Sequence, residues 1–311
     1  MKGTMDSDVA VSAIVCTRNR GGRIVATLKS LLANTHPSFE VIVIDQSTDD
    51  ATANAIAPYI EDTRLRYLPT NTRGAGHARD LGLRAARGEV VAYTDDDCTV
   101  PTDWLEKIQN IFEVYPHVAV AFCNVLPAPH DPTLGFVPAY ERSEDKIVRT
   151  MWDKCRARGI GAGMAVRRVA ALQIGGFDHC LGPGSPFPAC EEGDLAMRAL
   201  LSSWWLFESS QIDVLHDGFR TWKEGKAMNR RNWIGIGAAY VKPFKCGQWS
   251  AGIVVAYESF IMALIKPLSQ VFRLRKPQGI RSFYHFWVGI VHGLRQPVDR
   301  ETILYRCEDK F

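Results

Sequence analysis

Apolar positions along the chain fall into short runs separated by polar turns. Residues 9–16 are mostly β-branched and uncharged, and the polar stretch 17–22 follows them, which predicts a buried strand ending in a loop. Over 23–34, Ile24, Leu28, Leu31 and Leu32 recur at helical spacing, and a second apolar run at 40–44 ends at Asp45, completing a βαβ unit. The pattern repeats as a helix over about 50–60, a strand at 65–68, a helix over about 75–86 and a strand at 90–94 that runs into Asp95-Asp96-Asp97. Apolar strands alternating with amphipathic helices predict an α/β fold, a mostly parallel Rossmann-like sheet with helices on both faces. Ligands of such sheets bind beyond the carboxyl ends of the strands, and the polar clusters at 17–20, 45–50 and 95–97 all fall there.

The pattern continues with a helix over 104–114, a strand over 118–124, a Pro-rich surface loop at 127–138, a small-residue strand at 159–168 and a helix running to Gly175-Gly176. Residues 181–190 hold three Pro and two Gly without periodicity, which suits a functional flap. A helix follows Glu191-Glu192-Gly193-Asp194, and a strand at 212–215 delivers His216. The last 90 or so residues read as helical, with apolar stretches at 249–265 and 283–294. The chain therefore divides into a body, 1–216, whose halves meet near residue 100, and a helical extension, 217–311.

Charge sharpens that division. Residues 217–311 carry 16 Lys and Arg against 7 Asp and Glu, whereas residues 1–216 carry 21 against 27. An acidic body suits a divalent cation, and a basic, apolar tail suits an anionic membrane face. The 17-residue stretch 249–265 falls short of the roughly 20 apolar residues of a spanning helix. It reads either as a helix lying in the membrane interface, with Lys242, Lys245, Lys266, Arg273, Arg275 and Lys276 beside it, or as one packed on the body or in a homodimer. With 311 residues, 46% of them hydrophobic, the chain is no disordered tail, fibre or disulfide mini-protein. Its eight cysteines form no C-x-x-C pair and read as reduced thiols. The N-terminus shows no signal-peptide pattern, so a cytoplasmic protein is expected, peripheral on the inner membrane face, with no nucleic-acid partner.

Three consecutive carboxylates at Asp95, Asp96 and Asp97 would repel one another unless a cation joined them, and oxygen ligands suit Mg²⁺ or Mn²⁺. The plainer alternative is capping of the next segment. Asp45 ends its strand in the equivalent position, where a carboxylate can bond a nucleobase or a ribose hydroxyl, or can cap the following helix. Glu191 and Glu192 can serve as a base for a hydroxyl, or can complement a helix dipole.

These residues occur in segments that resemble the inverting glycosyltransferase family 2. The segments are Val15-Cys16-Thr17-Arg18-Asn19-Arg20, Val43-Ile44-Asp45-Gln46-Ser47-Thr48-Asp49, Ala78-Arg79-Asp80-Leu81-Gly82 and the Asp95-x-Asp97 motif. Further along, 161–168, Gly175-Gly176-Phe177-Asp178 and Glu191-Glu192-Gly193-Asp194-Leu195-x-x-Arg198 continue the resemblance. It implies an A-type glycosyltransferase fold and transfer of a sugar from a nucleotide-sugar donor to a hydroxyl acceptor. Thr17, Asp45, Arg79 and Asp95 would line the nucleotide pocket, with Arg18, Asn19, Arg73 and Asp96 beside them and arginines steadying the diphosphate. Asp95, Asp97 and His216 would hold the metal, Gly176, Phe177 and Asp178 would lie on the acceptor side, and Glu192 or its neighbour Glu191 would be the base. The sequence departs from the family at Glu192, where Asp is usual, and at Asp80, where Asn is usual. A non-catalytic nucleotide-sugar-binding scaffold is one alternative. A sugar-phosphate nucleotidyltransferase is another, although residues 17–22 lack a dense Gly-rich phosphate loop.

Overall fold

The structure is a computed structural model that describes residues 9–273 and 279–307. The acidic N-terminal stretch and the tail residues Arg275 and Lys276 lie outside the described residues. The first half follows the expected alternation: β1 (Val11–Thr17), α1 (Ile24–Leu32), β2 (Phe39–Asp45), α2 (Ala51–Ile56), β3 (Leu65–Pro69), α3 (Ala75–Ala85) and β4 (Val90–Asp95). Next come β5 (Cys98–Thr99), α4 (Trp104–Val114), β6 (Val118–Pro127), β7 (Gly135–Phe136), β8 (Lys146–Val148) and α5 (Met151–Lys154). Then follow β9 (Met164–Arg167), α6 (Arg168–Gln173), α7 (Glu191–Leu201), β10 (Trp205–His216) and β11 (Arg220–Thr221), and α8 (Trp222–Val241) begins the extension.

The main sheet runs β3-β2-β1-β4-β9-β6-β10-β5, with β8 pairing β10. β1, β2, β3 and β4 are mutually parallel, whereas β9 lies antiparallel between β4 and β6. The chain leaves β1 toward β2 on one side and returns as β4 on the other, so the β1/β4 crevice is the switch point where such sheets bind ligands. Strand period does the sorting of the core. Ala13 and Val15 of β1 pack on one face with Leu28 and Trp104, while Ile14 packs on the other with Ile42, Tyr93 and Leu83. Gly82 lets α3 approach β1, because a Cβ there would lie 2.6 Å from an Ile14 methyl.

Three sequence expectations change. The strand expected at 212–215 starts at Trp205, and its polar middle is held by distant partners. Glu208 is buried there because it accepts bonds from the Tyr140 hydroxyl and the Arg158 and Gly159 amides. Cys180 and Cys307 are joined by a disulfide, their Cα atoms 5.8 Å apart, which corrects the reading of all eight cysteines as free thiols. A separation of 127 residues leaves no local signal for that pairing. Finally, the helix from Trp249 does not stop near Ile265. α9 (Gly252–Phe260) continues through a π-helical turn, Ile261–Ile265, into α10 (Lys266–Phe272). The wider turn makes room for Pro267, whose ring an ordinary helix would clash with. Trp249–Phe272 thus becomes 24 residues, long and apolar enough to cross a membrane by length and composition alone. α11 (Ile280–Arg295) packs along α8.

The extension is not detached from the body. Lys242, fully buried, places its ammonium 2.5 Å from Asp178 Oδ2 and 2.6 Å from Asp194 Oδ1. Glu258 of α9 forms an ion pair with Arg158.

Candidate active site

The register of the sheet gathers the predicted residues. Thr17 lies opposite Asp45 on β2, and Cys16 lies opposite Asp95 on β4. Immediately beyond, the Thr17 hydroxyl donates to Asp96 Oδ2 at 2.6 Å, and Arg20 pairs with Asp96 at 3.1 Å and with Asp97. Burial raises the Asp96 carboxyl to about 6, against the pull of Arg20 and Thr17. Burial acts on Asp97 in the same sense, but the His216 hydrogen bond and the Arg20 charge outweigh it and hold that carboxyl below the usual range. His216 Nδ1 lies 2.8 Å from the Pro138 carbonyl, which can only accept, so this nitrogen carries the proton. Its Nε2 faces Asp97 Oδ1 at 3.3 Å. Burial disfavours the charged ring, yet the Asp97 contact raises its pKa.

Donor atoms of Asp97, Cys98 and His216 all lie within 4.8 Å of one another. Burial raises the Cys98 thiol, and oxygen and imidazole donors suit Mg²⁺ or Mn²⁺ better than sulfur, so the candidate donors are the Asp97 oxygen and the His216 nitrogen. A histidine whose Nδ1–H is fixed by a carbonyl presents Nε2 to a metal in the usual way. These residues fit a divalent cation that keeps positions open for phosphate oxygens. Asp95 is outside this cluster, because its carboxylate turns to Arg79.

Arg79 connects the two halves of the site. One nitrogen of its guanidinium pairs with Glu191, and the other lies 3.1 Å from Asp95 Oδ1. Gly161 packs directly against the guanidinium, where any Cβ would collide with it. Glu191 is therefore buried and committed. Glu192, the next residue at the start of α7, forms no ion pair among the described residues, although the Arg79 charge acts on it from beside Glu191. Burial, followed by the adjacent Glu191 charge, raises the Glu192 carboxyl well above the usual carboxylate range. The preceding residue, Cys190, adopts a left-handed backbone (φ 75°) at the turn from the 181–190 loop into α7.

The remaining predicted residues separate into wall and support. Asp45 is buried, and its oxygens are taken by the Ser47 amide at 2.8 Å and the Tyr67 hydroxyl at 2.7 Å, so here it anchors its loop. Asn19, also left-handed, donates its amide to Ser47 and accepts from the Thr48 amide, tying the loops after β1 and β2 together. Arg18 Nε is buried and has no hydrogen-bond partner among the described residues. Arg73 is exposed, and its side chain lies near Gly184 of the 181–190 loop. Gly176, Phe177 and Asp178, expected on the acceptor side, are buried and engaged by protein partners. The Gly176 carbonyl accepts from Arg198, Phe177 stacks edge-on against Tyr93, and Asp178 is neutralised by Lys242. Asp80 bonds the Phe177 amide, Arg84 and His179.

Arg20 and Gly161 fall in family-like segments without a role of their own from sequence, Cys98 reads only as a thiol, and Lys242, expected as a cation beside the apolar stretch 249–265, is instead fully buried between Asp178 and Asp194. Arg20 shares a loop with Arg18 and was findable as a counter-charge to three carboxylates, but nothing local marks Lys242 for burial. A cavity of about 1090 Å³ opens at the opposite ends of the strands, beside Val9, Phe39, Glu40, Val90 and Arg167, and contains none of the predicted site residues.

Residues 12–172, just over half of the chain, match the model of Glycosyl transferase family 2. Curated relatives include an uncharacterized glycosyltransferase of Rickettsia conorii, 31% identical over 32% of this chain and 17% of its own. Another is the succinoglycan biosynthesis protein ExoO of Rhizobium meliloti, 37% identical over 32% and 28%. The matched region spans less than a third of either relative. Among solved structures, the mannosyltransferase PcManGT of Pyrobaculum calidifontis, in complex with GDP-Man and Mn²⁺, superposes with a TM-score of 0.62 at 18% identity, over 91% of this chain and 86% of its own. S. aureus TarS superposes with a TM-score of 0.57 at 16% identity, over 94% and 93%. These likenesses, at low identity, are likenesses of fold, and the fold is the A-type glycosyltransferase fold expected from sequence. By its family match the chain is a member of glycosyl transferase family 2.

Proposed function

We propose that the protein transfers a sugar from a nucleoside-diphosphate sugar to an acceptor hydroxyl, with inversion at the anomeric carbon and with Glu192 as the base. The observation that carries this reading is the Arg79 bridge. It commits Glu191 to an ion pair, links the start of α7 to the end of β4, and leaves Glu192 as the carboxylate with a raised proton affinity. Glu192 takes the hydroxyl proton as the acceptor oxygen bonds to the anomeric carbon. The bond from that carbon to the phosphate oxygen breaks on the opposite face, and the nucleoside diphosphate leaves with the electron pair.

Asp97 and His216 are the residues that would hold Mg²⁺ or Mn²⁺. When bound, such an ion supplies Lewis-acid stabilisation of the leaving diphosphate. Arg18, with its orphaned buried Nε, binds the same anion through charge and hydrogen bonds. The GDP-Man and Mn²⁺ of the PcManGT complex and the UDP-GlcNAc of a TarS complex support a donor of this class. A panel of nucleotide sugars with Mn²⁺, assayed for nucleoside diphosphate release, tests the reading. Release that depends on acceptor and stops in excess chelator is expected. Pyrophosphate release from a nucleoside triphosphate would point to nucleotidyl transfer, and binding without release to a scaffold.

A further inference from the structure

The helices of the extension carry apolar side chains on two opposite stripes. In α11, Phe286 and Ile290 are buried on the α8 side, whereas Ile280, Tyr284, Trp287, Val291 and Leu294 recur at intervals of four and three residues and are exposed. The helix Trp249–Phe272 repeats this arrangement. Val254, Glu258 and Met262 face inward, and Phe260, Leu264, Leu268 and Phe272 face out, the last 85% exposed. The two helices meet where the backbone at Gly279 comes against the Met262 carbonyl.

Charge decides what can cover this face. Between Glu258 and Asp299 the sequence has no acidic residue and six basic ones, Lys266, Arg273, Arg275, Lys276, Arg281 and Arg295. A second copy would set like charge against like charge, with no carboxylate for the cross-pairs that flank helix seams. An anionic lipid surface complements it, and Trp, Tyr and Phe beside basic residues are the composition of interfacial helices. A spanning orientation is disfavoured by Glu258, which is buried and bound to Arg158 of the body and so pins α9 along the protein. We propose that this face seats the chain in the plane of an anionic bilayer, its apolar stripe at the acyl boundary and its arginines among the headgroups.

The test is sedimentation of the full chain with vesicles of phosphatidylcholine alone and of two parts phosphatidylcholine to one part phosphatidylglycerol. Binding is expected on the anionic vesicles at low salt, weakening steeply as salt rises. The triple variant Arg273→Glu, Arg281→Glu, Arg295→Glu should bind about a hundredfold more weakly, at about tenfold or less per lost cation. The double variant Leu268→Glu, Trp287→Glu should lose at least about tenfold, because both side chains stay in water. All these positions are exposed, so the melting curves should match the parent. Equal binding to both vesicle types, or unchanged binding of both variants, would overturn the proposal. So would a dimer that the apolar variant splits, which would mean that a second copy covers the face. Retention in cell membranes through alkaline carbonate would likewise overturn it in favour of a spanning helix. None of these outcomes depends on whether the chain transfers sugar.

Discussion

Lys242→Met tests whether the extension holds the active-site helix in place. The ammonium sits between two carboxylates that are themselves almost fully buried, at 2.5 Å from Asp178 and 2.6 Å from Asp194. Methionine keeps much of the stem and removes the charge. Taking one partner from a buried ion pair typically costs about 3 to 5 kcal/mol. The lower end applies here, because each carboxylate keeps other partners. Asp194 retains Arg198 Nε at 2.8 Å, and Asp178 retains the Tyr305 and Cys180 amides at 2.8 and 2.9 Å. A loss of about 3 kcal/mol corresponds to a fall in Tm of about 4 to 6 °C, at an unfolding entropy of about 2.1 cal/mol/K per residue over 311 residues. Circular dichroism melting gives the shift directly. Adding Asp178→Asn should restore part of it, since a neutral amide needs no counter-charge. A fall below about 1.5 °C, which corresponds to less than about 1 kcal/mol, would mean that the buried bridge does not hold the extension to the body.

Other perturbations report on the site itself. Because burial and the adjacent Glu191 charge raise the Glu192 carboxyl above the usual carboxylate range, and a base must be deprotonated to act, kcat should keep climbing with pH beyond the range in which ordinary carboxylates ionise. An acid limb centred at pH 4 to 5 would refute that environment. Gly161→Ala should displace the Arg79 guanidinium and lower stability by about 1 to 3 kcal/mol, read by melting, together with turnover. Asp97→Asn should weaken Mn²⁺ binding by at least about tenfold in a calorimetric titration, and should also lower the melting temperature of the metal-free protein, because Arg20 and His216 lose a buried counter-charge; unchanged affinity would move the metal elsewhere.

Local pattern made the strand ends of the first half legible. Thr17, Asp45 and Asp95 end largely apolar runs whose strand length and turn chemistry are readable without tertiary knowledge, and the sheet register brings them together. What stayed hidden depends on distant partners. Strand β9 runs antiparallel between β4 and β6, a reversal that no βαβ pattern announces. The polar middle of β10 is stabilised by Tyr140 and the amides after Ala157, so its propensity alone is misleading. Asp178 sits in a family-like segment yet is consumed by Lys242, 64 residues later. That Arg79 pairs with Glu191 and not Glu192 was not visible from sequence, because the partners are 112 residues apart.

The central claim is most directly tested by single-turnover rates of Glu192→Gln and Glu191→Gln at saturating donor and acceptor, with donor affinity measured alongside. The account predicts that Glu192→Gln slows the chemical step by about 10² to 10⁴ with donor affinity nearly unchanged. Glu191→Gln should chiefly weaken donor binding by loosening Arg79 and, through it, Asp95. Full single-turnover activity in Glu192→Gln, or a dead Glu191→Gln that still binds donor normally, would contradict it.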